Sequence, residues 1–568
     1  MKTLRAIARG LPRPVKACIK RVWTGDMEHR KWMIRRLEAR KEFYRGENQP
    51  GLFSIVTTVW NTPARYLWIL AESLLVQAPR QEFEWVLLDN GTTDPQTRQC
   101  LQELLRRHPE IKFFRVEENL GIIGGNRFCL ERASGRYVVP VDSDDYLYPD
   151  SLAILAWHIR RFNFPKALYS DEELRQDEVP VSPSFKPSWD PVLFVEYCYI
   201  AHLCAFDRER ALALGVYGSS DADGCHDWDT YFRFWSSGHT PLHVPEILYS
   251  WRMHQASAAQ NMDSKSYILD SHRAVLQRYI DSLEHPEWFS LHPGQMRAVY
   301  PHVPAWWIRR KHVEGRALTV VLVKHDGKEL APVLPQDNYP NRRLVETRFD
   351  RGLTGLRETI RQTDTQGLVA VVSDTLLIEN YDWAWEALGL FERYPDTAMV
   401  GGLLYSYDGH VLDGGIHFGF GGGLGCPDRG NPFAHPGYWA QQWACHTVSC
   451  VNSMFGVFDG PFLSSFLEKG EWLRDSLILL GPSAAVQARR NGRRVVFCPT
   501  IRAKAHSNWL DGISAEDRSQ FVKMNPDCFP DQRYYSRLLS LKHPYVAASP
   551  EADVRPANSC SRRPRSMV

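Results

Sequence analysis

Apolar and polar positions along the first third of the chain switch back and forth between two periods. Phe53–Thr58 (FSIVTT) is a β-branched run that reads as a strand, and after Pro63 the residues Leu67, Leu70 and Leu74 fall at helical spacing through Ala64–Gln77. Trp85–Asp89 (WVLLD) has the unbroken apolar pattern of a strand buried on both faces, and the turn-forming residues Asn90–Pro95 follow it. A helix around Gln96–Arg107, a strand Lys112–Val116, a helix around Gly125–Ala133 and a strand Tyr137–Val141 continue the series. Strands alternating with helices imply parallel strands joined by right-handed crossovers, and so an α/β fold with a doubly wound sheet. Ligands of such sheets lie beyond the carboxyl ends of the strands. Asp89 and the acidic run Asp142-Ser143-Asp144-Asp145 fall there.

Phe206–His254 extends this unit. Trp228, Tyr231, Phe232 and Trp235 stand at i, i+3, i+4 and i+7 on one face of a helix, with Asp227 at or near its N-terminus. The same order of residues returns in the C-terminal half. Phe206-Asp207 is followed 32 residues later by Gly238, then Pro245 and His254; Phe458-Asp459 is followed 34 residues later by Gly492, then Pro499 and His506. VVPVDSDD has a counterpart in AVVSDT, which pairs Ser373-Asp374 with Ser143-Asp144. Such a repeat implies two related α/β units. The expected boundaries are a basic arm over 1–50, a first unit over 51–280, a connector over 281–314, a second unit over 315–510, and an extension over 511–568 ending in a disordered Ser-, Arg- and Pro-rich tail.

Composition narrows the function classes. At 44% hydrophobic and 24% charged residues the 568-residue chain is globular, and its 68 basic against 66 acidic residues argue against coating a nucleic acid. The charge is unevenly placed: residues 1–50 hold 14 Lys and Arg against 5 Asp and Glu, a net of +9, which leaves −7 on the remainder. No run of 18 apolar residues occurs, so no spanning helix is expected. Met1–Arg21 lacks the apolar stretch of a signal peptide. A cytoplasmic protein with reduced cysteines follows, and no Cys-x-x-Cys pair marks a zinc site.

Carboxylates gathered at the end of a buried strand repel one another unless a cation neutralises them. Mg²⁺ or Mn²⁺ binds through one or two carboxylates plus diphosphate oxygens, which makes Asp142–Asp145 a candidate nucleotide-diphosphate site; a turn of solvated acids explains the same run as well. Asp227 reads as a helix cap, or as a carboxylate at the mouth of the crevice that takes a proton from an attacking hydroxyl. His254 alone reads as a packed or surface histidine, and beside Asp144 as a further metal ligand.

Nine segments in order carry a family resemblance: FSIVTTVWNTPARYL, WVLLDNGTTD, ENLGIIGGN, ASGRYVVPVDSDDYLYPDSL, YSDEEL, FKPSWDPVLF, YIAHLCAFDRE, GCHDWDTYFRFW and LYSWRMHQAS. Residues from about 53 to 260 resemble family 2 glycosyltransferases, whose GT-A fold transfers sugars from nucleotide donors with inversion. The resemblance implies that Thr57, Thr58 and Asp89 contact the nucleoside and that Asn126 and Asp142 belong to the nucleotide-sugar site. It also implies that Asp144 and Asp145 hold Mg²⁺ or Mn²⁺ with His254 assisting, and that Asp227 is the general base. SDEE, KPSWD and WRMH are most similar to enzymes of bacterial surface polysaccharide and O-antigen (lipopolysaccharide) assembly, often tied to rhamnose. Two positions depart from the family: Gly125 stands where an Arg is frequent, and His226 where an acid is usual.

The second half resembles the same family in GLLYSYDGHVLDGGIHFGFGG, HPGYW and CVNSMFGVFD. Its acidic motif is reduced to Ser373-Asp374-Thr375, and no carboxylate lies between Gly481 and Gly492, so it reads as a degenerate copy. Its Gly- and aromatic-rich loop Gly414–Trp443 either packs or holds a glycan. In the basic arm, Met33, Leu37 and Tyr44 share one side among Arg and Lys, a pattern for a solvated helix or for peripheral contact with the inner face of the plasma membrane. The expected protein is an inverting, metal-dependent glycosyltransferase that moves a sugar from a nucleotide-diphosphate sugar to a glycan or lipid-linked glycan acceptor. Its rivals are an inactive glycan-binding scaffold and a sugar nucleotidyltransferase. The latter needs a Gly-rich basic loop after the first strand, and TTVWNTPARYL has none.

Overall fold

Local caps and close backbone contacts set the elements of the first unit. Asp94 accepts the Thr97 amide at 2.7 Å and Pro95 opens the helix Pro95–Arg107 behind it. The computed structural model describes residues 28–41, 44, 48–77, 81–176, 179–253, 267–299, 303–325, 339–469 and 472–552. The chain divides into two units, the first built from the described residues within Met1–Trp189, Ile200–Ser271 and Ala547–Val568, the second from Asp190–Tyr199 and His272–Val546. The sequence boundaries miss two features of this division. The helix Pro191–Glu196 goes with the second unit, because Asp190 accepts the Thr447 amide and hydroxyl, each at 2.7 Å. The start of the C-terminal tail, in turn, goes with the first.

The first unit is one mixed sheet of nine strands: β1 (Phe53–Val59), β2 (Phe83–Asn90), β3 (Lys112–Val116), β4 (Tyr137–Pro140), β5 (Tyr146–Leu147), β6 (Ala167–Gln176), β7 (Val179–Ser184), β8 (Cys204–Asp207) and β9 (Leu242–Met253). Their order is β3-β2-β1-β4-β8-β6-β9-β5, with β7 beside β6. The strands β3, β2, β1 and β4 are parallel, β8 is antiparallel to β4 and β6, and β9 returns parallel to β6. The α/β class is therefore as expected: β1, β2, β3, β4, β6 and β9 point the same way, and β5, β7 and β8 run against them. Ile55, Leu87 and Val139 from the sheet pack with Leu70, Leu101 and Leu155 from the helices in one core.

One helix begins earlier than its sequence pattern suggests, at Gly121. Gly124 and Gly125 weaken its propensity, yet Asn90 accepts the Leu120 amide at 3.0 Å and Asn119 accepts that of Gly121 at 2.8 Å, and these two side chains fix the turn into it. Gly125 lies against β1, where an added Cβ would meet Thr58 Cγ2 at 2.9 Å. A side chain there would require Thr58 or Asn90 to shift.

The basic arm is part of the first unit. Residues 28–41 form a helix whose Arg36 and Arg40 are fully buried. Arg40 pairs with both oxygens of Asp150 at 2.7 Å and with Glu246 at 3.2 Å, and Arg36 pairs with Glu246 and donates to the Pro550 carbonyl at 3.0 Å. Burial alone would lower the Arg40 pKa, but Asp150 and Glu246 outweigh it and raise it. Met33 and Tyr44 are buried as well. The apolar side offered to a membrane in the sequence reading is thus spent inside the protein, a correction that burial of two ion-paired arginines enforces. Among the described residues no helix is long and apolar enough to cross a membrane. Residues 1–27 and 553–568, including most of the expected disordered tail, lie outside the described residues.

The second unit repeats most of the first unit's topology. Its order is Arg342–Arg348, Leu318–Lys324, Leu368–Ser373, Phe455–Asp459, Thr397–Ser406, Arg494–Ala505 and Leu377–Ile378, with Val411–Asp413 beside Thr397–Ser406. Every neighbour relation among these strands matches β2-β1-β4-β8-β6-β9-β5 with β7, in direction as well as order; the counterpart of β3 has no strand among the described residues, and His446–Val448, antiparallel to Arg494–Ala505, is an addition to the second sheet.

Candidate active site

The chain leaves β4 at the sheet's carboxyl end and enters Asp142–Asp145, so the acidic run sits where β4 and β9 meet through the short β5. Asp145 turns inward and is 1% exposed. Its Oδ2 accepts the Tyr249 hydroxyl at 2.5 Å and its Oδ1 accepts the Arg252 amide at 2.7 Å. The Asp144 carbonyl accepts Arg252 Nε at 2.7 Å. Asp142 points into the crevice with 63% of its side-chain surface open. Burial first, then the charges of Asp144 and Asp142, hold the Asp145 carboxyl well above the ordinary range; the protein mass around the crevice and the negative charges of Asp144 and Asp227, against His202, raise Asp142 too.

His202 joins this cluster, and the sequence reading gave it no role. Asp142, Asp145 and His202 each offer a ligand atom, all within 4.8 Å of one another. The His202 ring stacks on Tyr249 with centroids 4.7 Å apart, shares a hydrogen bond of 3.1 Å between Nδ1 and Glu172 Oε2, and aims Nε2 toward Asp142 at 3.8 Å. Burial would lower its pKa, but Glu172, Asp142 and Asp227 prevail and raise it to about 9. Glu172 is buried as well, and Lys186 and His202 outweigh that burial to keep it below the usual carboxylate range.

The SDEE run becomes legible at this point. Asp171 meets His243 at 2.8 Å; Glu172 meets Lys186 at 3.5 Å and His202; Glu173 meets His29 at 2.8 Å and accepts the Tyr148 hydroxyl at 2.6 Å. Three adjacent buried acids are tolerated because each has a basic partner. His202 stood in the quoted YIAHLC segment and Tyr249 in LYSW, so residue type alone carried the signal, but nothing local linked either one to Asp142.

The other candidates are placed as follows. Thr57 and Thr58 alternate across β1, so they cannot share a face. Thr57 is fully buried and accepts Trp85 Nε1 at 3.2 Å, a packing position rather than a crevice one, while Thr58 is half-buried under the helix Gly121–Arg132. Asp89, 1% exposed, accepts the Thr92 amide at 2.9 Å and lies 3.7 Å from Arg115. Asn126 is buried on that same helix. Asp227 is the second residue of the helix His226–Ser236, 3.5 Å from His226 Nε2; the N-cap is Cys225, so Asp227 does not cap. It is near enough for its charge to act on both Asp142 and His202. His254 lies outside the described residues.

Residues 54–167 match the family model described as Glycosyl transferase family 2. That match spans about a fifth of the chain, all of it within the first unit. The chain is similar to the protein y4gI of Sinorhizobium fredii, 26% identical over 447 residues that make up 73% of this chain and 49% of that one. It is also similar to the O-antigen biosynthesis protein RfbC of Myxococcus xanthus, 23% identical over 448 residues, 72% and 34% of the two chains. The chain thus spans half or less of the length of these curated relatives. A solved structure of S. aureus TarS 1-349 in complex with UDP-GlcNAc is 18% identical, covers 41% of this chain and 67% of that one, and has a TM-score of 0.33.

Strand registers show how far the second unit departs from the first. Tyr137 pairs with Asp207 and Val138 with Phe206; Leu368 pairs with Asp459 and Val369 with Phe458. Leu147 faces Tyr249 as Ile378 faces Ala503. Both registers place Ser373, Thr375 and Leu376 at the positions of Asp142, Asp144 and Asp145, Ala503 at that of Tyr249 and Met454 at that of His202. Asp374 therefore corresponds to Ser143, one residue away from the sequence pairing, and is bound by His325 Nδ1 at 2.6 Å. With Gly481 at the place of Asp227 on the helix Leu480–Arg490, none of these groups remains.

Proposed function

We propose that the first unit is an inverting glycosyltransferase that takes a sugar from a nucleotide-diphosphate donor and passes it to a glycan or lipid-linked glycan in bacterial surface polysaccharide assembly. The observation that carries this reading is the convergence of Asp142, Asp145 and His202 at the sheet's carboxyl end, with Asp227 facing them. The cluster suits Mg²⁺ or Mn²⁺. Two carboxylates and an imidazole are a fitting donor set, their ligand atoms lie within 4.8 Å of one another, and Glu172, accepting from Nδ1, orients Nε2 as metal-bound histidines require. Asp142, Asp145 and His202 would hold the ion, with Asp144 at the rim. When bound, such an ion neutralises the charge that develops on a departing diphosphate.

The chain's own groups do the rest. Tyr249 and the Arg252 amide hold Asp145 in place, and Glu172 with Lys186 fixes the imidazole. Asp89, behind the Thr92 turn, would meet the nucleoside. Asp227 would accept the proton of the acceptor hydroxyl as that oxygen attacks the anomeric carbon opposite the leaving group. Surface-polysaccharide context is supported by the likeness to RfbC. The second unit, lacking every counterpart of these groups, would not transfer.

Incubation with a panel of UDP- and dTDP-sugars and Mn²⁺ tests the proposal through release of nucleoside diphosphate. Mn²⁺ binding followed by electron paramagnetic resonance supplies a readout apart from turnover, and His202→Ala should weaken it. Absence of any release across the panel, together with Mn²⁺ binding unchanged in His202→Ala, overturns the reading.

A further inference from the structure

The second unit contains a pocket that its kinship with the first does not account for. It encloses about 230 Å³ and is lined by Asp413, Phe420, Leu424, Arg429, Asn508 and Arg518, among others. Asp413 ends its strand opposite Leu404, and Asn508 follows the strand Arg494–Ala505. The pocket thus lies by the carboxyl ends of two parallel strands, where open α/β sheets take their ligands.

Asp413 is 1% exposed; its Oδ1 accepts the Gly415 amide at 2.9 Å and its Oδ2 accepts Asn508 Nδ2 at 3.2 Å. A carboxylate has about four acceptor positions, so two partners leave roughly half of its capacity for hydroxyl donors. Burial, against the pull of these two donors, pushes its pKa up to about 6, a sign that it is under-solvated. Arg429 is held by Asp511 at 2.6 and 2.9 Å, and Arg518 donates to the Leu424 carbonyl at 2.8 Å. Two guanidinium groups thus offset the carboxylates of Asp413 and Asp511, which disfavours a phosphate or nucleotide and favours a neutral ligand. The volume is also below the roughly 300 Å³ at which pockets for larger ligands begin.

Phe420, Leu424 and Leu510 line the same pocket as these polar groups. Apolar and polar side chains lining one small pocket match a pyranose ring, with its C–H faces and ring of hydroxyls. Beside the same strand pair, Tyr407 and Phe433 expose 52% and 40% of their surface, held by stacking on His506 at 4.5 Å and Tyr405 at 4.9 Å. They offer rigid aromatic faces for neighbouring sugar residues.

We propose that this pocket binds a neutral pyranose residue of a glycan, so that the unit without transfer groups serves as a saccharide-binding module. The proposal does not depend on the first unit's reaction. Saturation-transfer-difference NMR on the full chain, without donor or Mn²⁺, uses the methyl glycosides of glucose, galactose, rhamnose and N-acetylglucosamine as probes. At least one should receive saturation, and Asp413→Asn should weaken its binding about tenfold or more. Should Asp413→Asn fold poorly, Arg429→Gln and the exposed pair Tyr407→Ser with Phe433→Ser give the same comparison. No saturation of any glycoside, or saturation equal in all of these variants, overturns the proposal, and either result leaves the reading of the first unit standing.

Discussion

Replacing Asp227 with Asn removes a charge and a proton acceptor while keeping the shape of the side chain. Asp227 does not cap its helix, its side chain is 29% exposed, and its nearest basic atom, His226 Nε2, is 3.5 Å away, too far for a strong pair. Stability should therefore change by no more than about 0.5 kcal/mol. A positioned general base contributes about 10²- to 10⁴-fold, so kcat should fall by that factor, a rise of about 2.7 to 5.5 kcal/mol in the barrier. Loss of one negative charge facing Asp142 and His202 lowers the His202 pKa from about 9 and eases repulsion toward a diphosphate, so donor affinity should hold or improve slightly. The assay pairs nucleoside-diphosphate release at saturating donor with donor affinity by calorimetry. A kcat within about fivefold of the parent would refute the base assignment. A drop in affinity that tracks kcat would refute it as well, by making Asp227 a donor ligand.

Arg40→Met leaves Asp150 and Glu246 buried without their shared partner and should cost the first unit about 3 to 5 kcal/mol in urea unfolding; a loss under about 1 kcal/mol would show that the arm is not integral. Asp374→Asn weakens the buried pair with His325 in the second unit, yet turnover per folded molecule should stay within about twofold, since the register puts Asp374 off the position of any metal-site carboxylate. A collapse of kcat would restore that unit to the chemistry. Burial, against Arg393, pushes the Glu196 carboxyl up to about 8, so the folded second unit keeps a proton that the unfolded chain releases above its ordinary pKa. Stability from this group is complete below about pH 4.5 and fades as the pH rises to about 8. Urea midpoints at pH 5, 6.5 and 8 should decline less in Glu196→Gln than in the parent, and parallel declines would contradict the assignment.

Buried arginines also change what a basic stretch means. Counted along the chain, the first fifty residues read as a charged arm free to seek an anionic surface. In the fold, Arg36 and Arg40 answer Asp150 and Glu246. Their partners lie more than a hundred residues away, and charge counting has no access to that distance.

Local pattern by itself determined the α/β class, the order of the first strands and helices, the acidic run at the end of β4 and the existence of a repeat. Each of these is written in short stretches of residues: period, caps, turn residues, three acids within four positions. Tertiary structure decided the rest. Strand alternation sends Thr57 to the core, and antiparallel β8 delivers His202 to Asp142, sixty residues away in sequence. The register between Leu368–Ser373 and Phe455–Asp459 moves Asp374 one place from where the letters align it. In a β-sheet a shift of one residue reverses the face, so the chemistry of each unit was settled by hydrogen-bond registers between distant strands, which no local stretch of sequence specifies.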